Sequence, residues 1–422
     1  MAAGVLSPVE NLMISTQIAL LRDRSRQPGV EGLALIAGTE AVVRGTVLSA
    51  FPLLMYRALG DASRVSAFYF AVGIVALASL LLVPLLVRRF RRPLVYRGAL
   101  ALYLIAAVCG LIGGALIPVA LLFQSVAAAT GFASFNAYVM NHVPKAELSR
   151  LESLRLLLGG IGWTIGPALG VLLIGLWPGA PFVVTAAFSI LLLWLLKRMN
   201  PGQDPVIQRA TRRKADPLAI ILRFLAQPRL VAGWTFTLVR SCGWWVYIVY
   251  VGIFAVENGL PDTIGGLATS MANAGLFLSP LMLRWVRARS VRDAVRAGFL
   301  GCGLCFVLAS LLAPFPWLAI AALLLGSLPL ITLDISGGLP FLMSVKPSER
   351  AEMSAVYSSF RDVSGIVSPG VAWLVLTVAP LPAIFGVAGL AMIGAFMVAS
   401  RLHPRLGEAR PTLSTARMDE PA

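Results

Sequence analysis

The sequence predicts an all-α polytopic membrane protein, with twelve transmembrane helices arranged as two pseudo-symmetric six-helix bundles. Three observations predict it. First, 58% of the 422 residues are hydrophobic and only 13% are charged, with a mean hydropathy of +0.84. That leaves too few charges to clothe a soluble domain of this size. Second, twelve apolar runs are long enough to cross a bilayer, which takes about 20 residues each. Third, the second six runs echo the first six at a nearly constant offset.

The runs are 31–57, 65–87, 95–116, 118–141, 153–176, 180–197, 229–256, 263–284, 294–313, 316–343, 353–378 and 381–401. Between them stand turn-forming stretches: "ALGD", "WPGAP", "NGLPD", "APFPW" and "APLP". The stretch before the first run lacks a basic start and a compact apolar core, so no signal peptide is expected, and 1–29 reads as a cytoplasmic segment. The remaining expected divisions are an N-terminal bundle over 30–197, a basic, Pro-containing cytoplasmic linker over 198–228, a C-terminal bundle over 229–402 and a tail over 403–422.

The net charge of +16 comes from short loops between apolar runs. Membrane topology therefore explains it better than nucleic acid does. With the first segment inside, cytoplasmic stretches hold 30 of the 35 Lys and Arg residues. Arg57 and Arg64 fall on the opposite side, and Arg44, Arg240 and Arg361 within runs. This bias places both termini in the cytoplasm. High Arg, Ala and Gly with only four Lys suggest a GC-rich bacterium, and hence the cell inner membrane.

The repeat is carried by "PLLVRRFRR" at Pro84 and "PLMLRWVRA" at Pro280, which align at an offset of 196 and also pair Cys109 with Cys305. "GWTIGPALGVLL" at Gly162 and "GIVSPGVAWLVL" at Gly365 place Pro167 opposite Pro369 at an offset of 202. Both pairs fall on equivalent runs, so a six-span unit is used twice.

Six plus six spans, a basic central linker and these loops resemble the major facilitator superfamily over about residues 30–402. The family's loop between spans 2 and 3 reads G-x-x-x-D-R-x-G-R-R. Here "VPLLVRRFRR" keeps Arg88, Arg91 and Arg92 but has Val83, Val87 and Phe90 where Gly, Asp and Gly stand. The resemblance implies a conformational role for the three arginines, without the Asp on which that lock depends. Span 5 reads "GWTIGPALGV", similar to the G-x-x-x-G-P-x-x-G-G of family exporters. Gly162, Gly166, Pro167 and Gly170 match, and Val171 replaces the last Gly. Small residues four apart also let helices approach closely, whatever the direction of transport.

Six charged residues stand out inside the runs, away from their very ends: Glu40, Arg44, Arg240, Asp334, Arg361 and Asp362. A charge at bilayer depth costs about 2.5–3.5 kcal/mol on insertion scales, so each needs a partner or a role. They sum to zero and could simply pair as structural bridges. The alternative rests on position. Arg44 and Arg240 are 196 residues apart, the repeat offset itself, so each bundle would aim one guanidinium at a bound anion. Family members that carry organic phosphates are similar, with one Arg on span 1 and one on span 7. Glu40, one turn from Arg44, and Asp334, a lone carboxylate in "PLITLDISGGLPFL", are the candidate proton or charge-balancing groups, with Arg361 and Asp362 beside them. Trp244 and Tyr247 follow Arg240 at i+4 and i+7 and should share its face. Gln124 and Asn136 of span 4 are further substrate candidates.

Enzyme signatures are missing: "GGIGWTIG" only approximates a dinucleotide fingerprint and lies within a span. Cys302 and Cys305 form C-x-x-C but read as small apolar residues on one helix, so no cofactor and no metal are expected. The expected protein is a monomeric secondary transporter. It would move a small organic, anionic solute by alternating access about a midplane site between its bundles, with proton coupling or exchange. Its partners would be that solute, protons and the lipid bilayer, with no nucleic acid. An exporter of amphipathic drugs is the alternative in the same class, and a non-transporting sensor or assembly factor the alternative in another.

Overall fold

The structure is a computed structural model that describes residues 29–90, 92–198, 217–287, 290–346 and 349–402. Those residues are helices joined by short turns. Among the described residues, eleven helices are long and apolar enough to cross a membrane: spans 1–6 at Val30–Leu59, Ala62–Val87, Pro93–Ile112, Gly114–Met140, Leu148–Leu176 and Ala180–Arg198, spans 7–10 at Pro228–Glu257, Thr263–Val286, Val291–Leu311 and Pro316–Ser344, and span 12 at Pro382–Ala399. Span 11 is split at Ser358–Ser359 into Arg350–Tyr357 and Phe360–Leu376, so neither piece alone has full length. The architecture is the twelve-helix, all-α arrangement the sequence predicts.

Local chemistry sets the ends. Asp61 caps span 2 by accepting from the Ser63 and Arg64 amides at 3.1 and 3.3 Å, and Ser290 caps span 9 through the Asp293 amide at 3.1 Å. Gly60, after span 1, and Gly259, after span 7, both have φ of 70°, where a side chain would be strained. They are 199 residues apart and extend the repeat to turns that the sequence comparison did not pair. Spans 1 and 7 are also irregular at corresponding depths. Span 1 breaks at Ser49, and span 7 widens into a π-turn over Val246–Tyr250.

Contacts divide the described residues into two compact units. One draws on Met1–Arg213 and Gly259–Ser270, the other on Lys214–Asn258 and Met271–Ala422. In the first, span 1 lies flush on span 5. A Cβ on Gly162 would come within 2.6 Å of the Ala41 carbonyl carbon, and one on Gly166 within 2.5 Å of that of Gly45. Gly162, Gly166 and Gly170, singled out from the sequence, are therefore the stripe on which span 1 rests. Pro167 interrupts the ladder of span 5. The neighbouring Ala168 amide donates to Ser270 Oγ at 2.9 Å, and a Cβ on Gly266 would meet the Pro167 carbonyl at 2.5 Å. Asp262, in the same segment, pairs with Arg57. By its contacts the segment Gly259–Ser270 groups with the first unit.

The second unit closes by the same device. Gly303 of span 9 and Gly389 of span 12 face each other's carbonyls, at 2.9 and 2.8 Å from the added Cβ positions. Pro369 is buried within span 11. Of the expected loop residues, Arg91 lies outside the described residues, as do the side chains of Arg88 and Arg92.

This packing predicts an asymmetric response to bulk. Gly166→Leu should drive span 1 off span 5 and cost at least about 1–3 kcal/mol, the usual scale of overpacking. Gly160→Leu, at a position with open space, should be neutral. Thermal unfolding in detergent followed by size-exclusion chromatography checks this, and equal loss in both variants would refute it.

Candidate functional site

In the first unit the site grows from span 1. Glu40 is 7% exposed, and a carboxylate so placed has to find donors inside the protein. It finds one from span 3: the fully buried Tyr103 donates its hydroxyl to Glu40 Oε1 at 2.8 Å. Span 4 makes room with Gly131, where a Cβ would lie 3.8 Å from Glu40 Oε1. The second partner is Arg44, one turn on, whose Nη1 is 3.9 Å from the same oxygen. That separation is long, and the Arg44 side chain keeps 32% exposure. Its guanidinium instead stands over the Trp163 ring of span 5, 5.1 Å from the centroid. Tyr103 thus holds Glu40 firmly, while Arg44 is held by an aromatic face and only loosely by charge.

The second unit repeats the theme with different connections. Arg240 Nε lies 3.1 Å from Asp334 Oδ1, with side chains 14% and 26% exposed. The N–H is out of line with the oxygen, so the contact is an ion pair rather than an aligned hydrogen bond. Asp334 Oδ2 accepts from Trp244 Nε1 at 3.1 Å. A lone carboxylate by sequence, Asp334 has two partners on span 7, the Trp244 donor and the Arg240 cation. Arg240 also stands 5.4 Å over the ring of Phe360, and its Nη2 reaches Ser241 Oγ at 3.4 Å. The row continues along span 7. Thr237 Oγ1 lies 2.7 Å from the Tyr357 hydroxyl, and Trp234 Nε1 donates to Ser359 Oγ at 3.2 Å. Tyr357 stacks on Phe341, with centroids 3.9 Å apart and planes 11° apart.

Not every expected residue joins these clusters. Tyr247 is 1% exposed, its ring meets Phe306 and Trp244, and its hydroxyl donates to the Leu323 carbonyl. The π-turn begins at Val246, one residue before Tyr247, whose ring keeps contact with Trp244 while its hydroxyl turns to span 10. Gln124 is 7% exposed, and neither of its side-chain amide atoms has a hydrogen-bond partner. Asn136 is half-buried on span 4, and Asp362 half-buried in the first turn of the second half of span 11, next to the exposed Arg361. Tyr103, Trp163 and Phe360 were not foreseen. Each is an aromatic residue in an apolar run, and only the choice of neighbouring helix gives it its partner. No group of His, Cys, Asp or Glu among the described residues is arranged to hold a metal.

The Arg240 pair yields a stability prediction. Removing one partner of a buried ion pair strands the other, at about 3–5 kcal/mol when burial is complete. Here both side chains retain exposure, so Asp334→Ala should cost less, about 1–3 kcal/mol. Arg240→Gln combined with Asp334→Asn should cost less than either single change. A double-mutant cycle on thermal or denaturant unfolding checks it, and additive losses would contradict the pair.

Comparison with known proteins identifies the lineage. Residues 33–369 match the Major Facilitator Superfamily. No match is found among curated protein sequences. Solved structures with the same fold include the nucleoside transporter NupG, with 14% identity and a TM-score of 0.67, covering 89% of this chain and 100% of that one. A POT family transporter in complex with a thioalcohol-conjugated peptide has 12% identity and a TM-score of 0.71, covering 90% and 97%. A bacterial homologue of the iron transporter ferroportin has 15% identity and a TM-score of 0.65, covering 88% and 99%. The chain is a multi-pass membrane transporter rather than an enzyme, and it belongs to the Major Facilitator Superfamily.

Proposed function

We propose that the protein is a secondary transporter that moves a small organic solute bearing an anionic group, by alternating access with proton coupling or exchange. Neighbours in fold carry solutes as different as nucleosides and peptides, so any specificity has to come from this chain's own side chains. The observation that carries the proposal is the state of Arg44. It is a permanent cation inside a membrane span, one-third exposed, resting on Trp163, with its nearest carboxylate oxygen 3.9 Å away. A solute carboxylate or phosphate brought to the exposed edge of that guanidinium gives it a better counter-ion than Glu40 does. Glu40 keeps the Tyr103 hydrogen bond. Once the solute neutralises Arg44, Glu40 can take up a proton, and the loaded cluster stays balanced in charge. Arg240 plays the corresponding part in the second unit, with Asp334 as the exchangeable counter-ion and Trp244 keeping that carboxylate in place. Gln124, with both amide atoms unmet, is a further contact that the solute would satisfy.

The aromatic row Trp234, Tyr357, Phe360 and Trp244 supports a second reading, export of amphipathic compounds, in which rings rather than guanidinium groups dominate recognition. The sidedness, with both termini cytoplasmic in the inner membrane, follows from the Lys and Arg bias and is part of the proposal.

Flux into proteoliposomes with a pH-sensitive dye inside, screened against organic anions and amphipathic cations, separates these readings. Arg44→Ala and Arg240→Ala should each lower anion flux at least tenfold, while Arg64→Ala, on the exposed first turn of span 2, leaves it unchanged. Glu40→Gln should abolish solute-driven acidification while leaving solute binding in place. Gln124→Leu should raise the unfolding temperature, because it removes an unmet buried polar group worth about 1–3 kcal/mol, and still weaken solute binding. Normal anion flux in both arginine variants would refute the anion reading. Flux of amphipathic cations alone would establish the second, and no flux with either panel would point to a non-transporting role.

A further inference from the structure

Most of the segment joining the two sequence halves lies outside the described residues, but its last part is a helix, Pro217–Leu225, where the sequence reading expected only a linker. At 100° per residue this helix has three faces. Phe224 and Ile220 form the inner face. Phe224 is 2% exposed and packs with Phe341, Leu230, Val345 and Met353 of the second unit. Arg223 and Ala219 form a second face. Arg223 pairs with Glu352 at 3.3 Å, and just beyond the helix Gln227 Nε2 reaches Glu349 Oε2 at 3.5 Å. The third face is a continuous apolar stripe: Leu218, Ile221, Leu222 and Leu225, between 43% and 62% exposed.

A soluble surface would not present four large aliphatic side chains in one stripe without an occupant. We propose that the occupant is the bilayer itself. In this reading the stripe lies along the boundary between headgroups and acyl chains, and the helix is an interfacial float fastened to the second unit by Phe224. Three observations fix that choice over a protein partner. Span 7 begins at Pro228, three residues after the helix ends, so the helix sits at the level of a span end. The stripe adjoins surface that already faces lipid, since Phe341, in ring contact with Phe224, is followed by the exposed Leu342 and Met343 at the end of span 10. The sequence flanking the contact is net basic: Arg223 and Gln227 engage Glu352 and Glu349, and the exposed Arg229, Lys346 and Arg350 are the remaining cations, a balance that suits an anionic headgroup layer.

The test uses full-length protein in lipid nanodiscs, in a background whose four native cysteines are replaced. Single cysteines at Leu222, Ala219 and Leu308 carry an environment-sensitive dye, Leu308 being the lipid-facing reference within span 9. Nitroxide placed high on the acyl chain should quench the Leu222 and Leu308 labels several-fold more than the Ala219 label. Aqueous iodide should show the reverse order. Leu218→Cys gives a second position on the stripe should Leu222→Cys fold poorly. Iodide quenching of the stripe equal to that at Ala219 would overturn the proposal, and so would shielding of the stripe from both quenchers, the mark of a protein partner or a second copy. The readout requires no transport, so a failed solute hypothesis leaves it intact.

Discussion

The cost of a charge in hydrocarbon is the constraint on which the rest of this structure depends. Lipid offers neither hydrogen bonds nor counter-ions, so each guanidinium within a span needs compensation from its own surroundings. The two units meet this demand with the same kinds of group: a carboxylate, an aromatic face and a polar aromatic donor. In the first unit these are Glu40, Trp163 and Tyr103. In the second they are Asp334, Phe360 and Trp244. Each cluster is close to neutral by itself, which lets it remain in the membrane with or without a solute.

Such clusters require helices held in fixed rotation, and glycine supplies that. Span 1 presents Glu40 to Tyr103 and Arg44 to Trp163 because Gly162 and Gly166 let its backbone settle against span 5. A wider spacing would move Arg44 off the Trp163 ring and loosen the carboxylate. The Gly-x-x-x-Gly-Pro pattern that resembles an exporter signature therefore has a local structural role here that implies no direction of transport. Pro167 adds a second effect, since it interrupts the ladder where Ser270 takes the Ala168 amide. A backbone donor inside a span thereby gains a side-chain acceptor beside the proline.

What the sequence made legible follows from range. Hydropathy and turn chemistry are local, and they place the spans to within a few residues. The 196-residue spacing of Arg44 and Arg240 is open to direct reading as well. Partners chosen across helices could not. Tyr103 lies 63 positions from Glu40 in the chain, and nothing in its own run distinguishes it from other buried tyrosines. Asp334 looked alone for the same reason. Tyr247 shows a different limit: spacing along span 7 gives no sign that its hydroxyl is taken by the Leu323 carbonyl of span 10, or that a π-turn begins at Val246. The helix Pro217–Leu225 was missed because nine residues in a basic, Pro-containing stretch are too few to stand out by hydropathy.

The repeat also shows where the halves part company, and the difference bears on mechanism. Glu40 and Arg44 share one helix, so their separation changes little when helices move. Arg240 and Asp334 belong to spans 7 and 10, and Asp334 lies two residues before the end of the helix Pro316–Ser336, beyond which span 10 turns at Gly337 and Gly338. That pair can be pulled apart or pressed together by motion within its own unit. Span 7 is itself irregular from two residues beyond Trp244, and π-turns occur often at functional sites. A cluster whose ion pair spans two bent helices is sensitive to conformation in a way that an i,i+4 pair is not. The ion pair of the first unit is thus fixed by a single helix, whereas that of the second depends on how spans 7 and 10 lie against each other.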